Sequence, residues 1–197
     1  MYENKHISEP KWKSWIIQTT TPLFTPDQCN QIIASGRAQK PQAAQVGMGK
    51  PGGGKDTKKR ITTIGWIPFK EMGHMYQDLY KFIIKANENH FGFGDIRITE
   101  NAQFTEYPEG GFYDWHMDCD VNMSHEPPVR KISMTILLSD PSTFKGGNLE
   151  FMEKNKVPEL KQGQAIFFAS FIRHRVAPVT KGIRRSLVMW FGGTPFK

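Results

Sequence analysis

The run FYDWHMDCD, residues 112–120, places one histidine, one cysteine and three aspartates within nine positions. Such side chains ligate metals. On a β-strand the side chains alternate, so residues two apart share a face with α-carbons roughly 6.5–7 Å apart. His116, Asp114, Asp118 and Asp120 then lie on one side, and Trp115, Met117 and Cys119 on the other. An imidazole and a carboxylate two positions apart can converge on one ion. Alternation removes Cys119, and reach demotes Asp120, which is twice as far from His116. The choice between Asp114 and Asp118 stays open.

A pair of ligands is not a site, and a third is required. His6 lies in a polar tail, His74 and His90 in or beside a predicted helix, and His125 in a proline-rich loop. His174 opens the β-rich run HRVAPVT and is the best placed. Two histidines and one carboxylate leave coordination positions open, the arrangement of the non-heme Fe(II) oxygenases. Such an iron needs electrons beyond those of its substrate, and a 2-oxo acid can supply them. The far carboxylate of that acid needs a cationic anchor, for which planar, bidentate arginine is suited. Arg184 follows His174 by ten residues and opens the last predicted strand, whereas Arg185 faces the opposite side.

These residues must be positioned by the elements around them. TPDQCNQIIASGRAQ predicts a helix, with Thr25 as N-cap, Pro26 first and Cys29, Ile32 and Ile33 on one face. FKEMGHMYQDLYKFIIKANENH predicts a second, with apolar residues at helical spacing from Met72 to Ala86. KSWIIQTTTPLF and RITTIGWIP read as one strand each, and residues 41–59 as a long loop. From about residue 96, short β-rich runs alternate with turn signals such as PEGG, SHEPP and KQG, which suggests an antiparallel sandwich or barrel. The two helices precede it and should pack on one sheet. One domain over 1–197 is expected, with support from 1–95 and the core in 96–192.

Fourteen Phe and five Trp argue for a packed globular chain. No apolar run reaches the roughly 18 residues of a membrane span, no secretory signal is visible, and two cysteines make no disulfide framework. A cytoplasmic protein without a membrane partner is expected. The net charge is +7, and segment 50–60, KPGGGKDTKKR, carries much of it. Its GKPGGGKD nearly spells a phosphate-binding loop, but Asp56 stands where a Ser or Thr must reach magnesium, and no buried strand precedes it.

YPEGGFYDWHMD, GGNLEF and HRVAPVTKGIRRSLVMWF together resemble the prolyl 4-hydroxylase-like branch of the Fe(II)/2-oxoglutarate-dependent dioxygenases. The resemblance spans about residues 100–192. It implies a mainly β fold with flanking helices, built on a double-stranded β-helix (jelly-roll, cupin-like) core. It implies His116, Asp118 and His174 as iron ligands and so favours Asp118 over Asp114. It implies Arg184 as the anchor for the 2-oxoglutarate 5-carboxylate, Tyr107 as a hydrogen-bond donor near it, Tyr113 close to the metal and Trp190 as a pocket wall. By strict alternation Tyr113 falls on the wrong face, so a bulge is needed. Where some relatives carry a second Tyr, this chain has Leu137 and Leu138. The cofactors implied are Fe(II), 2-oxoglutarate and O2, with ascorbate as reductant.

The substrate implied is a prolyl residue in a peptide or protein. Lys50, Lys55, Lys58, Lys59 and Arg60 would favour acidic residues near the target, and loops 41–59 and 119–129 would flank the mouth. Rival readings are the same chemistry on a free amino acid or small molecule, or on nucleic acid, and a non-catalytic jelly-roll binding module. Nucleic acid is disfavoured because RRSLVMW lacks the asparagine of the Arg-x-Asn signature of those relatives.

Overall fold

The computed structural model describes residues 14–44, 56–119, 128–152 and 159–196. The expectations for Lys50, Lys55, His6, His125 and Asp120, and for most of the two loops, lie outside the described residues.

Helix α1 (Pro26–Ala38) begins where capping chemistry places it. The Thr25 hydroxyl accepts from the Gln28 N–H, and the Gln28 side chain accepts from the Thr25 N–H. Cys29, Ile32 and Gly36 form its buried face. A β-carbon on Gly36 would stand 2.3 Å from the Phe104 ring, so glycine lets the helix seat on the sheet. Helix α2 (Gly73–Ala86) buries Met75, Tyr76, Leu79, Ile83 and Ala86, and a π-helical turn (Asn87–Phe91) extends it. The Tyr76 hydroxyl accepts from the Ala102 N–H at 2.6 Å, and Phe82 stacks on Phe167 at 5.1 Å.

The strands, in chain order, are β1 (Ile16–Gln18), β2 (Gln42–Ala43), β3 (Arg60–Ile61), β4 (Thr63–Ile67), β5 (Arg97–Ile98), β6 (Ala102–Tyr107) and β7 (Phe112–His116). There follow β8 (Val129–Leu137), β9 (Phe144–Gly146), β10 (Leu149–Phe151), β11 (Ala165–Ala169), β12 (His174–Val176), β13 (Val179–Gly182) and β14 (Arg184–Gly193). A large antiparallel sheet runs β1-β11-β8-β14-β6-β4-β2, with β5 also on β14. A smaller one runs β10-β12-β7-β3, and β9 pairs with β13. One face of the large sheet, including Phe104, Met134, Ile136, Phe167, Leu187 and Met189, shares a core with both helices. The other face meets the small sheet through a second cluster that includes Tyr107, Phe168, Phe151 and Val176. No helix among the described residues is long and apolar enough to cross a membrane.

Two strand expectations need correction. KSWIIQTTTPLF keeps three ladder residues, because Thr19 ends the pairing with its hydroxyl on the Ala165 N–H and Pro22 has no N–H to offer. RITTIGWIP is two strands. β3 pairs with β7 and β4 with β6, so the chain switches sheets at Thr62, whose hydroxyl donates to the Glu106 carbonyl at 2.7 Å.

Candidate functional site

The face of the large sheet turned towards the small sheet carries buried polar side chains at alternate positions. Gln103 and Thr105 on β6, Ser133 and Thr135 on β8, and Arg184 and Ser186 on β14 are all buried. Buried polar groups persist where they are paired or meet a ligand.

His116 closes β7, His174 opens β12, and the two are cross-strand partners with ring centroids 4.2 Å apart. The ladder ends at His116, so Asp118 does not reach the site by strand alternation. The chain turns instead, and the Asp118 and Cys119 N–H groups both donate to the Ser170 carbonyl. This turn brings Asp118 Oδ1 to 3.6 Å from His116 Nε2 and Oδ2 to 3.5 Å from His174 Nε2. Ser133 donates to Asp118 Oδ2 at 2.7 Å and lies 2.9 Å from the Ser170 hydroxyl. Asp114 is exposed, and it is its backbone carbonyl, 2.7 Å from His116 Nδ1, that faces the imidazole.

The three donor atoms lie within 4.8 Å of one another, a group that could hold one metal ion. His116 Nδ1 is engaged by the Asp114 carbonyl and His174 Nδ1 by the Ile172 carbonyl at 3.0 Å, which leaves both Nε2 lone pairs for a metal. Burial first, then the neighbouring His174, lowers the His116 pKa to about 4. Burial alone would raise Asp118, but His174, His116 and Arg130 outweigh it and hold the carboxyl at about 2. Neutral imidazole and ionised carboxylate are the ligating forms, so these residues fit a divalent ion. His74 and His90, weighed as third ligands, do not join this group.

A pH prediction follows for the metal-free protein. The folded His116 pKa lies below the ordinary 6.5, so the unfolded chain takes up a proton that the native chain does not. Stability should therefore fall as pH drops from 6.5 towards 4, with the Asp118 contribution lost only below 3.8. Thermal melts of chelator-treated protein between pH 7 and 4.5 should show this slope, flattened in His116→Gln. An unchanged slope would assign the acid sensitivity elsewhere.

Tyr113 reaches the metal side through the bulge that alternation demanded. His174 pairs with His116 and Val176 with Tyr113, so three steps on β7 oppose two on β12. The Tyr113 ring stacks on His116 at 3.5 Å, and burial pushes its phenol up to about 12. Trp190 packs under the Arg130 guanidinium at 3.7 Å and 6.1 Å from Trp66. Its indole N–H is buried and helps hold Asp118 low, yet falls short of hydrogen-bond geometry.

Arg184 is buried at 3% exposure and forms no ion pair among the described residues. Its Nη1 donates to the Ser186 hydroxyl at 3.0 Å, which lies 2.6 Å from the Thr105 hydroxyl. Tyr107 sits opposite in the ladder, its ring 5.6 Å from the guanidinium carbon. Arg185 faces away and pairs with Glu106 at 2.7 Å. A buried cation braced by neutral hydroxyls is ready for an anionic ligand.

The GGNLEF turn holds that cation in place. Gly147 has φ +67°, and a β-carbon there would stand 2.7 Å from Arg184 Cδ and 2.9 Å from Val179 Cγ2. Gly147→Ala should cost roughly 1–3 kcal/mol from backbone strain, about 2–12 °C in melting temperature for a chain of this size, and displace the Arg184 stem. A melt within 1 °C of the parent would contradict this packing.

Residues 102–192 match the profile of the 2OG-Fe(II) oxygenase superfamily, a span that holds His116, Asp118, His174 and Arg184. Over that stretch the chain is similar to that superfamily. A PKHD-type hydroxylase of Shewanella is 32% identical over 90 residues, covering 44% of this chain and 40% of the relative. A PKHD-type hydroxylase of Teredinibacter turnerae is 35% identical over 92 residues, covering 45% and 41%. The alignment thus spans about 40% of the length of these curated relatives. Among solved structures, a Pseudomonas putida prolyl-4-hydroxylase superposes with TM-score 0.68 at 20% identity, covering 90% of this chain and 92% of that one. The viral collagen prolyl hydroxylase of Paramecium Bursaria Chlorella virus-1 gives 0.71 at 16%, covering 92% and 97%. A prolyl hydroxylase of Trichoplax adhaerens, solved with a hypoxia inducible factor peptide, gives 0.66 at 17%, covering 90% and 83%. The fold is that of the jelly-roll 2OG oxygenases.

Several residues of the site carry no motif in the sequence. Ser133, Ser170, Thr105 and Ser186 belong to no motif, and a small polar residue on a strand ordinarily marks its solvent-facing side. The second sheet turns that side into an interior. A small polar residue at every second position of several neighbouring strands was the available signal.

Proposed function

We propose that this chain is an Fe(II)- and 2-oxoglutarate-dependent hydroxylase acting on prolyl residues in a peptide or protein. The reading is carried by one juxtaposition: a two-histidine, one-aspartate cluster at the small sheet and, on the face of the large sheet turned towards it, a buried arginine with no ion pair among the described residues. Bound Fe(II), with 2-oxoglutarate and O2, supplies the oxidising chemistry that places a hydroxyl on carbon and releases succinate and CO2. His116, Asp118 and His174 hold the ion. Their Nδ1–carbonyl bonds and the Ser133 hydroxyl orient the ligating atoms. Arg184 binds the distal carboxylate of 2-oxoglutarate, with Ser186 and Thr105 fixing the guanidinium. Leu137, the cross-strand partner of Ser186, lines this end with hydrocarbon where a relative can offer a hydroxyl. Tyr107 closes the anchor end, and Tyr113 and Trp190 wall the metal end and exclude water.

Prolyl substrates are favoured by the prolyl hydroxylases among the structural neighbours, one of them solved with a peptide. The test is a panel of proline-containing peptides with Fe(II), 2-oxoglutarate, O2 and ascorbate, read as a +16 Da product with matching succinate. Free amino acids and an alkylated oligonucleotide run in parallel. Product in one of those arms, and none from any peptide, would overturn the prolyl reading and leave the oxygenase chemistry standing.

A further inference from the structure

We propose that Arg60 forms a second anion-binding point, a subsite for a carboxylate of the substrate, separate from the Arg184 anchor. This rests on the hydroxylase reading above. The sheet switch at Thr62 places Arg60 on edge strand β3, directly opposite Tyr113. Its guanidinium lies 4.4 Å over the Tyr113 ring, and that ring stacks on His116 at 3.5 Å. The cation is therefore one aromatic ring away from a residue of the metal cluster. Arg60 Nη2 donates to the Gln103 side-chain Oε1 at 3.2 Å, while Nε is buried with no hydrogen-bond partner among the described residues. Arg60 forms no ion pair among the described residues. Nearby Arg130, by contrast, is neutralised by a bidentate pair with Glu100 at 2.6 Å.

A half-buried guanidinium with no counter-ion among the described residues binds a carboxylate well, because planar, charge-assisted pairs are the strong ones. The location excludes the 2-oxoglutarate tail as its ligand. Gln103, which orients Arg60, and Tyr107, which faces Arg184, are four residues apart on β6, roughly 13 Å along the strand. Trp66, 39% exposed, pairs with Gln103 in the ladder and leans on Trp190, so the Arg60 end is where the site opens to solvent. A substrate approaching there brings either an acidic side chain next to the target or its own α-carboxylate.

The experiment compares four arms on the Fe(II)-loaded protein: C-amidated proline peptides with an adjacent Asp or Glu, the same peptides with Asn or Gln, neutral peptides with a free C-terminus, and free proline. Wild type should favour a carboxylate-bearing arm by about 10- to 100-fold in kcat/KM, and the favoured arm identifies the source. Arg60→Gln should erase that preference without changing the KM for 2-oxoglutarate, and Arg60→Glu should shift it towards lysine-flanked peptides. Tryptophan emission, which Trp66 and Trp190 report from the subsite, gives a binding readout independent of turnover. It is titrated with the Asp peptide and its Asn counterpart. If no arm gives hydroxylated product, the prolyl reading fails. The subsite then stands on the titration: discrimination in wild type lost in Arg60→Gln supports it. An undiminished carboxylate preference in Arg60→Gln, no discrimination in wild type, or a rise in 2-oxoglutarate KM alone would overturn it.

Discussion

His174→Ala is expected to abolish metal-dependent turnover, lowering succinate formation by more than about 100-fold. Removing a residue that only orients a ligand already costs 10- to 100-fold in many metal sites, so losing a ligand should cost more. His174 is buried, stacks edge-on against Phe168 at 4.5 Å and faces Asp118. Alanine would also leave the Asp118 carboxylate short of one of the groups that hold it ionised. His174→Gln preserves volume and separates folding from ligation. Both variants should melt cooperatively yet lose tight Fe(II) or Co(II) binding by calorimetry, and Asp118→Asn should do the same. Normal 2-oxoglutarate consumption by a folded His174→Ala protein would sink the ligand assignment.

Arg184→Gln should act at the other end of the site and leave metal affinity intact. Truncating one partner of a buried, hydrogen-bonded charge pair costs about 2–5 kcal/mol, or roughly 30- to 5,000-fold in affinity. The expected result is a rise of that order in KM for 2-oxoglutarate. Arg184→Lys should recover part of it, since an ammonium keeps the charge and loses the fork. Glutamine can still reach the Ser186 hydroxyl, so the fold should survive. An unchanged KM would mean that the buried cation has another ligand.

Much of the local structure was readable from local chemistry. Thr25 and Pro26 start α1 where the sequence says they should, because capping is settled within four residues. The apolar spacing from Met72 onward marks the buried face of α2, because helical period and burial coincide there. What period could not show is where a ladder stops. RITTIGWIP has uniform strand propensity, yet it belongs to two sheets, since only the partners on either side of Thr62 differ.

The candidate site divides along the same line. Sequence alone named His116, Asp118, His174 and Arg184 through motif order, and it specified that Tyr113 would need a bulge. It could not choose Asp118 over Asp114 on geometry. The alternation it used does not apply past His116, where the chain leaves the strand. The tertiary structure brings Asp118, and not Asp114, beside the two histidines, by turning Asp118 onto the Ser170 carbonyl and leaving the Asp114 side chain exposed. It also decided that Thr105, Ser133 and Ser186 are interior, and that Arg60 stands beside the metal cluster rather than in a solvated basic run. Residue types and short-range periods are properties of the chain. Which polar face becomes a pocket is a property of the second sheet that covers it.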